Sequence, residues 1–181
     1  SVREDLKRVV EDIRRIVKEV HERNREASKR SEDLVREVHE RNERIARELK
    51  KIVDDLRRVK EEEKLKEIEK KLEEDLERAA RENRRILEEL KKISEDVARE
   101  NKEVLDRIKE RLDRLAKDVE DRNAERRVLE EVRKEVEKVL REIEKSLRDH
   151  ERENKRLLED IERSLRELEK TVEKLKRDIR R

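Results

Sequence analysis

Apolar side chains recur along the first third of the chain at Val2, Leu6, Val9, Ile13, Ile16, Val20, Ala27, Leu34, Val38, Ile45, Leu49, Ile52 and Leu56. Asn24, Ser31 and Asn42 occupy places on the same stripe, and the positions to either side are mostly charged. Steps that alternate between three and four describe one face of an amphipathic helix. The pattern returns on itself about every eighteen residues, or five turns at about 3.6 residues per turn. A strict heptad would impose a left-handed supercoil, whereas this period predicts nearly straight helices. The repeat is visible in letters as well, since Glu19-Val20-His21-Glu22-Arg23-Asn24 returns as Glu37-Val38-His39-Glu40-Arg41-Asn42.

Continued past its last apolar member, the stripe meets Lys60, Glu63, Glu67, Lys70 and Glu74, all charged. A second stripe starts on a different phase at Leu65 and Ile68 and runs through Ala79, Asn83, Leu90, Ser94, Val97, Asn101 and Ile108 to Val119. A third starts at Leu129 and runs through Val136, Ile143, His150, Asn154, Ile161 and Leu168 to Ile179. A phase jump means either that a helix moves its apolar face or that the chain turns. End signals favour turns. Ser1 with Glu4 forms a capping box at the first start. Arg57, Arg58 and Lys60 are cations suited to a helix end, and Glu61, Glu62 and Glu63 are anions suited to a start. Asp121 and Asn123 supply cap residues at the second break. The first break contains no turn former.

The polar members of the stripes test this independently. Asn24 and Asn101, Ser31 and Ser94, and Asn42 and Asn83 are each symmetric about a point between residues 62 and 63. Asn101 and Ser146, and Asn83 and Ser164, are symmetric about a point between residues 123 and 124, and Ser94 and Asn154 about residue 124. Both points fall inside the breaks found from phase alone. The expected fold is therefore all-α: a long antiparallel up-down-up three-helix bundle of nearly straight helices. It is expected as one elongated bundle over 1–181, with helices over about 1–60, 65–120 and 126–181 and turns near 61–64 and 121–125. Each helix is roughly 85 Å long at about 1.5 Å per residue. The stripe is widened by Val10, Val17, Val35, Val53, Leu87, Leu105, Leu140 and Leu158, as a helix touching two neighbours requires.

Three polar levels are expected to cross the core. The first holds Asn24, Asn101 and Ser146. The middle one holds Ser31, Ser94 and Asn154, with Ser28 and His150 close by. The third holds Asn42, Asn83 and Ser164. An unpaired buried amide costs about 1–3 kcal/mol, and pairing across helices recovers most of it. A shifted register would set each Asn against Leu, so the levels fix register and helix orientation.

Composition sharpens this picture mainly by exclusion. Of 181 residues, 56 are Lys or Arg and 54 Asp or Glu, and Gly, Pro, Cys, Met, Trp, Tyr and Phe are all absent. Without Gly there is no phosphate loop or dinucleotide fingerprint. Without Cys there is no disulfide, thiolate nucleophile or zinc finger. Without aromatics there is no stacking platform for single-stranded nucleic acid. A net charge of +2 with finely mixed signs gives no basic field for a polyanion. No apolar run approaches a membrane span, no targeting signal is read, and the compartment is left open.

Together, the eighteen-residue repeat, the Glu/Lys/Arg surface, the Leu/Ile/Val core and the Asn/Ser/His levels resemble de novo designed helical bundles with buried hydrogen-bond networks. The resemblance covers the whole chain and implies a structural scaffold with no natural substrate. The chain departs from that pattern in its turns, which designed bundles usually build with Gly, Pro or Asp.

Chemistry is expected to be absent. His21 and His39 are separated by roughly 27 Å of helix and cannot share a metal. His150 has no second His at its level. Ser31, Ser94, Ser146 and Ser164 show no base and orienting group in the sequence. The reading is thus no enzyme, no cofactor, no metal, and a monomer needing no partner, nucleic acid or membrane. The competing reading is a natural-type coiled-coil spacer or oligomerisation module.

Overall fold

A computed structural model describes residues 2–56, 58–121 and 126–181, the Val2 side chain excepted. Three helices carry these residues: α1 (Val2–Asp55), α2 (Glu62–Asp121) and α3 (Arg126–Arg180). The fold is an all-α three-helix bundle. Ser1, Arg57 and the segment 122–125 lie outside the described residues, and with them the capping box and most of the second turn.

The first break has its own logic. Leu56 N–H donates to the Ile52 and Val53 carbonyls at 3.1 and 3.3 Å, which tightens the last turn of α1. Val59 N–H then donates to the Leu56 carbonyl at 3.1 Å, and Leu65 N–H to the Glu61 carbonyl at 3.1 Å, which opens α2. The chain therefore leaves the helix after Asp55, earlier than the sequence places the break. Asp54 and Asp55 put negative charge where the helix dipole disfavours it, and the cations Arg58 and Lys60 lie beyond the end. The turn between is made without a glycine.

The bundle resolves into two compact units, one of Ser1–Lys29 with Ile93–Glu153, the other of Arg30–Lys92 with Asn154–Arg181. In the first unit, Leu6, Val10, Ile13, Val17 and Val20 of α1 pack with Val104, Ile108, Leu115, Ala116 and Val119 of α2 and with Leu129, Val132, Val136 and Ile143 of α3. In the second, Leu49, Val53, Ile68, Leu72, Val172 and Leu175 form one apolar cluster. Val38, Ile86, Leu90 and Ile161 form another. Complete burial of such a side chain is worth about 1.5–3 kcal/mol, and Leu90 and Ile143 reach zero exposure. Among the described residues no large apolar side chain is left exposed.

The phase of burial differs slightly from the sequence stripe. Val10, Val17 and Val53, read from the sequence as flanks, are buried, while Val9, Ile16 and Ile52 are half-buried. On α2, Ile93 is buried and its neighbour Ser94 is half-buried. At about 100° per residue, two adjacent positions can share an apolar sector, and packing decides which is central.

Helix directions follow from pairing within each unit. In the first, Asn24 meets Asn101 on α2, and Arg111 Nη2 donates to Asp12 at 2.6 Å. Going up α1 means going down α2. Asn24 to Ser146 and Ser28 to His150 both carry the separation 122, so α3 runs parallel to α1. In the second unit Arg41 pairs with Glu82 at 3.1 Å, and Asn42 with Ser164 again at separation 122. Lys176–Glu73 at 2.7 Å and Arg180 to Glu69 at 2.5 Å and Glu62 at 2.7 Å join α3 to α2. The Arg180 hydrogen bond holds Glu69 below the usual carboxylate range. Arg180 is exposed, so solvent and salt screen these surface pairs.

Candidate functional site

The chemistry-bearing side chains are those that interrupt the core. Asn24 and Asn101 lie on the buried faces of α1 and α2, 6% and 1% exposed, because they fall on the same three-four stepping as their apolar neighbours. Asn24 Nδ2 donates to Asn101 Oδ1 at 3.0 Å, and Asn101 Nδ2 donates back to Asn24 Oδ1 at 2.9 Å. The remaining amide hydrogens go to Ser146 Oγ at 3.3 Å and to the Val97 carbonyl at 2.6 Å. Four amide hydrogens thus meet four acceptor contacts, and all three helices are joined.

Ser28 Oγ and His150 Nδ1 are 3.0 Å apart, one turn further along both helices. Burial pushes the His150 imidazole below its ordinary pKa of 6.5, against a smaller upward pull from Glu151 and Glu153. Its Nε2 has no hydrogen-bond partner. Beside these residues runs a groove of about 630 Å³ between α1 and α3, lined by His21, Asn24, Ser28, Ser146 and His150 among others.

In the second unit Asn42 Nδ2 donates to Ser164 Oγ at 3.0 Å, and His39 Nδ1 lies 3.2 Å from the same oxygen. Asn83 is 1% exposed, yet neither its Nδ2 nor its Oδ1 has a partner, and Asn42 Oδ1 is also unpaired. The sequence symmetry pairs Asn42 with Asn83, whereas in the structure Asn42 bonds to Ser164. Ser31 Oγ and Asn154 Oδ1 are likewise buried and unpaired. The expected middle level divides between the units: Ser28, Ser94 and His150 fall in the first, Ser31 and Asn154 in the second.

His39 is the member that sequence reasoning missed. Its signal was the His-x-x-Asn spacing, which sets His39 beside Asn42 and His21 beside Asn24 on adjacent turns. His39 also changes the reading of Ser164, which the sequence left without a base. Its other nitrogen, Nε2, is 3.9 Å from Glu43 Oε1. Serine, imidazole and carboxylate thus follow one another around a pocket of about 110 Å³. The sequence of groups resembles a nucleophilic relay, but the geometry does not complete one. A 3.9 Å contact is no hydrogen bond. Ser164 is 5% exposed and already accepts from Asn42. Mid-helix backbone N–H groups are spent on the helix and offer no oxyanion hole. Among the described residues no group of three His, Cys, Asp or Glu is placed to hold a metal ion, and no helix is long and apolar enough to cross a membrane. What the arrangement does is hold helices side by side through directional bonds.

No protein-family profile and no curated protein matches the chain. Among solved structures it is similar to a computationally designed three-helix bundle, with a TM-score of 0.53 and 15% identity over 98% of this chain and 88% of that one. The likeness is one of fold.

Proposed function

We propose that the chain is a designed structural scaffold without natural biochemical activity, and that its buried Asn, Ser and His levels specify register and helix pairing. The reciprocal Asn24–Asn101 pair, with Ser146 as third partner, carries this reading. An amide pair buried among Leu, Ile and Val adds little net stability, since each bond is worth about 0.5–1.5 kcal/mol. Its effect is on alternatives: sliding one helix by a turn leaves about 1–3 kcal/mol of unsatisfied polar group on each side. The similarity to a computationally designed three-helix bundle supports the same reading.

The test replaces Asn24, Asn101 and Ser146 together by Leu and measures the distance between spin labels at Glu22 and Lys102. The parent chain is expected to give one narrow distribution. The triple variant is expected to fold with equal or greater stability and a broadened or multiple distribution. A distribution as narrow as the parent's would remove the specifying role.

A further inference from the structure

We propose that His150 is an acid-released clamp between α1 and α3 in the first unit: proton uptake on its ring opens the seam around Ser28 and Ser146, while the His39 contact in the second unit tolerates the same proton.

A neutral imidazole carries one donor and one acceptor nitrogen. In His150 the Ser28 hydroxyl satisfies Nδ1, and Nε2 is shut away from water without a partner. The less costly neutral form has Nδ1–H donating to Ser28 Oγ and Nε2 as a bare acceptor. Protonation turns Nε2 into a charged donor facing nothing, at 4% exposure. Burial outweighs the attraction of Glu151 and Glu153, so the folded ring holds its proton less tightly than the unfolded one.

The charged groups around it offer a release route but no partner in place. From α1, His21 and Arg25 line the groove beside the ring; from α3, Glu142, Lys145, Asp149 and Glu153 do. The Asn24 bonds set Asn101 level with Ser146, so one turn on, α2 presents Val97 at the level of His150. The α2 charges that flank this level by that register are Glu95, Asp96, Arg99 and Glu100, with Asp96 accepting from Arg99 at 2.9 Å. A charged ring reaches water or the Asp149 and Glu153 carboxylates only by swinging into the groove, and that motion breaks the Ser28 bond.

His39 differs in each respect. Its ring is exposed and its Nε2 lies 3.9 Å from Glu43. A protonated His39 still donates from Nδ1 to Ser164 Oγ.

Because the folded value lies below the unfolded one, the His150 contribution is complete above pH 6.5 and is lost as pH falls through the folded value. The experiment follows the three imidazole C2 protons by NMR between about pH 5 and about pH 8, with amide exchange on the full chain corrected for intrinsic rates. The His150 midpoint is expected below 6.5. Opening of 24–28 and 146–153 is expected to increase at low pH, approaching about tenfold for each unit of that depression. His150→Leu, or His150→Asn if Leu prevents folding, is expected to abolish this acid response, and His39→Leu to retain it. A midpoint at or above the ordinary value overturns the proposal, as does an unchanged acid response in the His150 variants.

Discussion

Buried amides differ in worth according to whether their hydrogens find acceptors. Asn101 is fully engaged, and Asn101→Ala leaves Asn24 Oδ1 without its donor and one Asn24 Nδ2 hydrogen without its acceptor; a loss of about 1–3 kcal/mol is expected from urea denaturation. Asn83 is equally buried but carries two unpaired atoms. Asn83→Leu removes that burden and adds apolar contact, so a gain of about 1–2 kcal/mol is expected in the same measurement. A loss there instead would show that Asn83 is satisfied in solution. Burial of Asn24, Asn42, Asn83 and Asn101 was legible from their places in the stripes. Their bonding was not, because a shared level fixes height along the bundle and leaves side-chain rotamers undetermined. Val9 against Val10 and Ser94 against Ile93 show the same limit, since neighbouring positions share one apolar sector.

At the scale of the helix, charge at the ends is uneven. Glu4 and Asp5 open α1, Glu62 and Glu63 open α2, and Arg177 and Arg180 close α3, all with the favourable sign. α1 and α2 end without a cation in the last turn, and α3 begins without an anion in the first. Asp55→Lys and Arg126→Glu are each expected to stabilise by about 0.3–1 kcal/mol at low ionic strength and by less in salt. Thermal midpoints at two salt concentrations read this directly, and an unchanged midpoint at low salt would count against the dipole account of the early α1 end. The sequence revealed the existence of three helices because each new stripe starts out of phase with the last. It misplaced the first stop because it credited Arg58 and Lys60 to a helix they lie beyond.

For the molecule as a whole, opposite charges nearly cancel at +2, and no large apolar side chain is exposed among the described residues. If the chain is the self-contained scaffold proposed above, light scattering is expected to return the single-chain mass of 22.3 kDa. A dimer or trimer mass would favour the oligomerisation reading. Up-down-up order was legible because polar residues mark matching heights on three stripes. The division into two units was not, since it falls between Lys29 and Arg30, Lys92 and Ile93, and Glu153 and Asn154, where composition does not change. The common separation of 122 between Asn24 and Ser146 and between Ser28 and His150 has a mechanical consequence. Pulling α1 lengthwise against α3 in the first unit loads both bonds at the same instant, because both must travel the same distance, about 5.4 Å, to reach the next turn. Peeling the two helices apart from one end loads them in succession. That unit is therefore expected to resist shear far better than unzipping, a directional toughness written into one repeated interval.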